Sequence, residues 1–200
     1  MRHAATSATR AAAFPGDEPI EDGAAARAAA VGALAPSGGS VVCSPALRCR
    51  QTAEAAGLAF VTDPRLAESD FGAWAGRSLA DVHGSDPAAV AAWMSDPTAA
   101  PHGGESLTDF SARVGEWLDE QARADAGTTL AITHGGVVKA AVVHALGAPL
   151  EAFWRVDVAP LTATELHAHD GRWTVTRVNC PVEAADEHPS AFAGRSGAAA

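Results

Sequence analysis

Apolar residues recur along this chain with two periods. Helical spacing is clearest from Gly104 to Asp125, where Leu107, Phe110, Val114 and Leu118 share one face of a long amphipathic helix. Helices are also predicted over 20–35 (IEDGAAARAAAVGALA), over 45–58 (PALRCRQTAEAAGL) and over 137–147 (VVKAAVVHALG). The second of these has Pro45 near its first turn and Gly57 at its end, the usual punctuation of a helix. Two shorter helices are predicted at 78–84 and 86–96. Short apolar runs without helical period read as buried strands: SVVCS (40–44), LAFVTD (58–63) and TTLAIT (128–133). Alternating residues at 162–169 and 172–179 flank Asp170-Gly171, the pattern of a β-hairpin. From 182 to 200 large apolar residues thin out, and a loose tail is expected there.

Strands and helices thus alternate up to the terminal hairpin. That order predicts an α/β fold, a three-layer sandwich whose mostly parallel central sheet has helices on both faces. No internal repeat or linker interrupts it, so residues 1–181 are read as a single domain. In such sheets ligands bind at the carboxyl ends of the strands. Two predicted strands end in chemically capable residues at that edge. SVVCS runs into Arg48, and TTLAIT runs into His134-Gly135-Gly136, where the glycines permit close backbone approach and a helix N-terminus offers free N–H groups to an anion.

Composition narrows the function. The 200 residues suffice for one well-packed domain, with 48% hydrophobic residues and a mean hydropathy of +0.03. The net charge of -10 argues against nucleic acid or an anionic membrane as partner. It leaves room for a small anionic substrate held by a few arginines, and nearly all positive charge is arginine, Lys139 being the single lysine. Three cysteines (Cys43, Cys49, Cys180) without CxxC spacing do not suggest a disulfide framework. With no apolar span or signal-peptide core, a reducing cytoplasm is expected.

The opening residues MRHAATSATR place Arg2-His3 ahead of Thr6, Ser7, Thr9 and Arg10. Alone, such a pair reads as a solvated tail. Further on stand SPALRCRQTAE (44–54), LAESDFGAW (66–74), PHGGES (101–106) and THGG (133–136). Glu68 lies in the second of these beside Phe71 and Trp74, apolar company in which a carboxylate can become a proton-transfer group. Five motifs in this order and spacing resemble the histidine phosphatase superfamily, the phosphoglycerate mutase-like proteins, over roughly residues 1–180.

The resemblance implies a cofactor-independent phosphatase of the histidine acid type, a hydrolase acting on a small phosphorylated metabolite without metal. It implies that His3 is phosphorylated and that His134 stabilises the transferring group. Glu68 would protonate the leaving oxygen and then deprotonate the attacking water. Arg2 and Arg48 would hold the phosphoryl oxygens with planar, multi-donor contacts. Thr6, Thr9 and Gly135 would line the phosphate pocket, the threonines being equally well read as turn residues. Phosphoglycerate mutase-type transfer is the alternative, disfavoured by the short segment between 77 and 104. A non-catalytic phosphate-binding regulatory protein is the other. No nucleic-acid or membrane partner is expected, and a homodimer stays open.

Two departures from the family pattern stand out. Ala4 occupies the place of a glycine, at a cost only if that position needs positive φ. Almost nothing precedes Arg2, so the strand that leads into this motif is expected to be missing, supplied otherwise, or encoded upstream of Met1. Other residues receive plain readings. Asp70 is a solvated carboxylate and the rival to Glu68 as acid; Arg50 is a helix-surface cation. Arg10 contacts a remote substrate charge or only water. His102 is placed weakly at the pocket rim. His167 and His169 share a face of a surface strand. Trp93, Trp117, Trp154 and Trp173 pack, and Cys49 is a small buried residue.

Overall fold

The computed structural model describes residues 1–124 and 127–182. Two short helices come first, α1 (Ser7–Arg10) and α2 (Ala24–Ala28). Strand β1 (Ser40–Cys43), helix α3 (Leu47–Ala55) and strand β2 (Val61–Thr62) follow. Helices α4 (Leu79–Ser85), α5 (Pro87–Ser95) and α6 (Leu107–Arg123) lead to strand β3 (Thr129–Ile132) and helix α7 (Gly135–Ala145). Strands β4 (Thr162–His169) and β5 (Arg172–Pro181) close the described chain.

The parallel sheet has the order β2-β1-β3, with Val42 opposite Val61 and Ala131. Alternation along β1 and β3 divides the core between two faces. Val42 and Ala131 point to α6 and α7, where Phe110, Val114, Leu118, Val137 and Phe153 pack with Leu66. Val41, Cys43, Leu130 and Ile132 point to the opposite side, onto Val31, Cys49 and Ala53. The α6 stripe read from the sequence is the stripe that is buried. The hairpin β4-β5 is a separate two-stranded antiparallel sheet. Asp170 and Gly171 both take positive φ, 49° and 70°, as a two-residue turn of this kind requires.

Three local expectations are corrected. The helix predicted over 20–35 begins only at Ala24, after Gly23 with φ 79°, and tightens to a 3₁₀ helix over Ala29–Leu34. There Gly32 is pressed so close to the Ala56 carbonyl that a Cβ would lie 2.8 Å from its oxygen. The strand predicted over 58–63 shrinks to two residues because β1 offers only two partners. The element leading into Arg2-His3 is neither absent nor a full strand. Thr133 N–H donates to Met1 O (2.9 Å) and His3 N–H to Thr133 O (2.8 Å), one parallel rung on the end of β3. On the other side Arg2 N–H donates to Thr162 O (3.1 Å), so this rung lies between β3 and the start of β4. Beyond it β3 and the hairpin diverge around a groove of about 950 Å³ lined by Leu130, Ala131, Ala163, Leu166 and Trp173. The loose tail expected over 182–200 lies, beyond Val182, outside the described residues.

Candidate active site

The rung at Met1–His3 delivers His3 to the carboxyl edge of the sheet, where β1 runs out into Ser44 and β3 into Thr133 and His134. Both imidazoles are buried, with ring centroids 5.2 Å apart. His3 Nδ1 lies 2.7 Å from the Ala4 carbonyl, which can only accept. Nδ1 therefore carries the proton, and Nε2 keeps its lone pair. Burial, with Arg48 and Arg2 nearby, pushes the His3 pKa down to about 3. The ring is neutral at any ordinary pH.

Ala4 sits in this turn without penalty. It is fully buried, its N–H donates to Thr52 Oγ1 (3.0 Å), and it is not among the residues with positive φ. The glycine of the family pattern is therefore not needed here for backbone reasons.

Arg48 projects from the first turn of α3, a helix whose Leu47 N–H is capped by Asp17 Oδ1 (2.8 Å). Its guanidinium donates to Gly16 O (2.7 Å) and to His134 Nδ1 (3.1 Å). A guanidinium never accepts, so His134 Nδ1 must, and the His134 proton resides on Nε2, donated to Ser44 Oγ (2.7 Å). Burial first, then Arg48, His3 and the other arginines hold His134 well below the ordinary histidine range. His134 as arranged has both nitrogens occupied, so in this state it orients Arg48 rather than offering a free donor. Arg2 donates through Nη1 to Val158 O (2.5 Å). The buried Nε groups of Arg2 and Arg48 have no hydrogen-bond partner among the described residues. Donors of that strength left over in a buried place are the mark of an anion site.

Glu68 reaches the same place from the loop after Leu66, tied to the end of β3 by Thr133 Oγ1 donating to Leu66 O (2.6 Å). Gly136 N–H, in the first turn of α7, donates to Glu68 Oε2 (3.2 Å), and Ser69 N–H to Oε1 (3.2 Å). A Cβ on Gly136 would overlap Oε1 and stand 3.0 Å from Cδ, so the glycine is what lets the carboxylate sit on the helix end. Gly135 likewise leaves space for Arg2, whose Nε would be 3.3 Å from a Cβ there.

His3, Glu68, Arg2, Arg48, Thr6, Thr9 and Gly135 all line one cleft of about 250 Å³, and His134 lies buried beneath it. The threonines are more committed than expected. Thr6 caps α1 by accepting from Thr9 N–H (3.2 Å), Thr9 Oγ1 accepts from Thr6 N–H (3.4 Å), and Thr6 Oγ1 donates to Glu18 (3.1 Å). Their first duty is a capping box. Asp70 does not line the cleft; its carboxylate caps Gly72 N–H (2.8 Å). His102 is also not at the rim. It is buried behind Phe71 and Trp74, with Nδ1 accepting from Gly104 N–H (3.1 Å). Arg10 is exposed and paired with Glu21.

Several cleft residues escaped the sequence reading. Glu18 lies 3.8 Å from Arg48, and Phe14, Lys139 and Asp157 join it. Trp93 and Trp154 were expected only to pack, yet both line the cleft. Only Lys139 carried a usable signal: four residues after Gly135 on α7, it shares that helix face.

The fold and this edge define an α/β protein that gathers a neutral imidazole nitrogen, the buried guanidinium of Arg48 and the half-buried one of Arg2 in one cleft. The profile of the histidine phosphatase superfamily (branch 1) matches residues 1–181, and the chain belongs to that superfamily. A bifunctional protein of Mycobacterium tuberculosis is 37% identical over 160 residues, 76% of this chain and 44% of that protein. The chain thus spans less than half the length of the first curated relatives it matches. Phosphoserine phosphatase 1 of Hydrogenobacter thermophilus is 27% identical over 135 residues, 66% of this chain and 64% of that protein. The solved structure of a mycobacterial glucosyl-3-phosphoglycerate phosphatase with VO3 superimposes with a TM-score of 0.77 at 27% identity, covering 90% of this chain and 96% of that one. Among the described residues no helix is long and apolar enough to cross a membrane.

Proposed function

We propose that this chain is a metal-independent phosphomonoesterase that hydrolyses a small phosphorylated metabolite through a phosphohistidine on His3. The carrying observation is the tautomer of His3. With Nδ1–H given to Ala4 O, the Nε2 lone pair is the free end of a neutral ring. In the first half-reaction Nε2 attacks phosphorus, the ester P–O bond breaks, and Glu68 in its acid form gives a proton to the departing oxygen. In the second, Glu68 as carboxylate takes a proton from water, the hydroxide attacks phosphorus, and the P–N bond breaks to release phosphate. Arg2 and Arg48 hold the equatorial oxygens throughout, where charge is greatest. His134 fixes Arg48 through Nδ1 and turns its own proton toward Ser44.

The three cysteines are free thiols. The test is to incubate the chain with p-nitrophenyl phosphate, quench with base, and look for acid-labile, base-stable phosphate on the protein. The expected result is turnover with EDTA present and label lost in His3→Ala. Label that persists in the folded variant refutes the assignment. Parallel assays of phosphate release and of 3-phosphoglycerate isomerisation separate hydrolysis from mutase-type transfer.

A further inference from the structure

The cleft has an outer wall that the phosphate chemistry does not use. The chain has six phenylalanines and five tryptophans. Four of the former and two of the latter line this one cleft. Five of the six form a continuous arch: Phe71 meets Phe14 (4.9 Å between centroids), Phe14 meets Trp93 (5.5 Å), Trp93 meets Trp154 (4.7 Å), and Trp154 meets Phe153 (5.1 Å). Trp93 comes from α5 and Trp154 from the 3₁₀ turn Leu150–Arg155, so two separate elements bring their indoles to the same place.

The charges of the cleft cancel. Arg2, Arg48 and Lys139 are matched in number by Glu18, Glu68 and Asp157, while burial and the arginines hold His3 and His134 in their neutral forms. Lys139 lies over the Phe153 ring (5.3 Å) and feels Asp157 and Glu68 as its opposite charges. A phosphate dianion therefore makes the occupied cleft net negative, and a carboxylate on the same substrate would add to that charge. A hydroxyl-rich body fares poorly for another reason. Hydroxyls pressed against an aromatic wall lose water without gaining partners. A flat apolar body gains both burial and ring contacts. The volume of about 250 Å³ keeps that body compact.

We propose, resting on the phosphatase reading, that the substrate is a phosphomonoester whose alcohol carries a compact, uncharged, flat apolar group, and that Trp93 and Trp154 set this choice. Three phosphonates of different body test it by calorimetric titration: methylphosphonate, benzylphosphonate and 2-carboxyethylphosphonate. Benzylphosphonate is expected to bind about tenfold or more tightly than methylphosphonate, and 2-carboxyethylphosphonate no more tightly than methylphosphonate. In Trp154→Ala the benzyl-to-methyl ratio should fall to below about threefold. Trp154→Leu, which keeps apolar bulk without the ring, serves if the alanine variant does not fold and should lower the ratio part of the way. Equal binding of the benzyl and methyl compounds, a ratio untouched in both variants, or tightest binding of the carboxyethyl compound overturns the proposal. Turnover of benzyl phosphate against glycerol phosphate, both alkyl esters, keeps the two readings apart. Hydrolysis without preference sinks the substrate class alone. A binding preference without hydrolysis of any ester sinks the phosphatase reading alone.

Discussion

Gly136 offers a way to move Glu68 without touching it. Gly136 is not among the positive-φ glycines, so alanine is compatible with its backbone in the first turn of α7. The added methyl would overlap Glu68 Oε1 and stand 3.0 Å from Cδ. Ordinary contacts begin at about 3.5 Å, so the carboxylate has to retreat by about 1 Å. It also loses the Gly136 N–H contact, long already at 3.2 Å. A misplacement of that size costs about a hundredfold in rate, about 2.7 kcal/mol. Gly136→Ala should therefore lower kcat about a hundredfold on an alkyl phosphate. The loss should be much smaller on p-nitrophenyl phosphate, whose leaving group needs little protonation. Glu68→Gln should show the same substrate dependence, with a loss of about 10²–10⁴-fold. Because both changes act through one proton transfer, the double variant should be no slower than Glu68→Gln alone. Steady-state rates of the four proteins on both substrates, with thermal unfolding to show that each is folded, make the cycle. Additive losses, or equal losses on the two substrates, would refute Glu68 as the leaving-group acid.

His3→Ala should abolish turnover of p-nitrophenyl phosphate while leaving the far-UV circular dichroism unchanged; retained activity in the folded variant removes His3 as nucleophile. Arg48→Ala should weaken vanadate binding and cost about 2–4 kcal/mol in kcat/KM. Arg48→Lys should recover only part of this, because an ammonium cannot span Gly16 O and His134 Nδ1 in one plane. For acid stability, the folded pKa of His3 is about 3 and that of His134 also lies below its ordinary value, so the unfolded chain binds more protons beneath about pH 6.5. Stability present at neutral pH should drain away as pH falls from 6.5 toward 3; urea midpoints should drop along that range, less steeply in a folded His3→Gln, and flat midpoints refute the burial argument.

What could be read in advance followed the length scale of each signal. The α6 stripe repeats over about three turns and leaves no ambiguity about its buried face. Strands β1 and β3 are short, but each is bounded by turn residues and runs straight into its reactive end. The rung at Met1–His3 has no period to detect, since one rung is made by main-chain groups alone. The 20–35 segment is rich in alanine and glycine and presents no distinct apolar face, so helix and 3₁₀ turn look alike in it. Thr6 and Thr9, read equally as pocket-lining and as turn residues, are both, since they line the cleft and cap α1. Thr-x-x-Thr is the spacing of a capping box, and that reading was open from the sequence. The aromatic arch was not open. Phe14, Trp93 and Trp154 are far apart in the chain, and each alone is indistinguishable from a packing residue.

The same fixed charges perform two tasks at the sheet edge. Two arginines in a largely buried place are suited to hold an anion strongly, as the proposed reaction requires, because little water screens them. They also add to the cost that burial already sets on a further positive charge, and both imidazoles beside them stay neutral. A nucleophile needs that neutrality, since a protonated ring has no lone pair to give. The two tasks would conflict if the arginines could swing onto the ring nitrogen that must attack. His3 avoids this by committing Nδ1–H to its neighbour's carbonyl, and Arg48 by committing one Nη to Gly16 O and the other to His134. His134 can accept from Arg48 only while it is neutral, and burial first, then Arg48, keeps it so. The pair is thus self-consistent, and the Nε2 of His3, the nucleophile of the proposed reaction, lies outside these contacts.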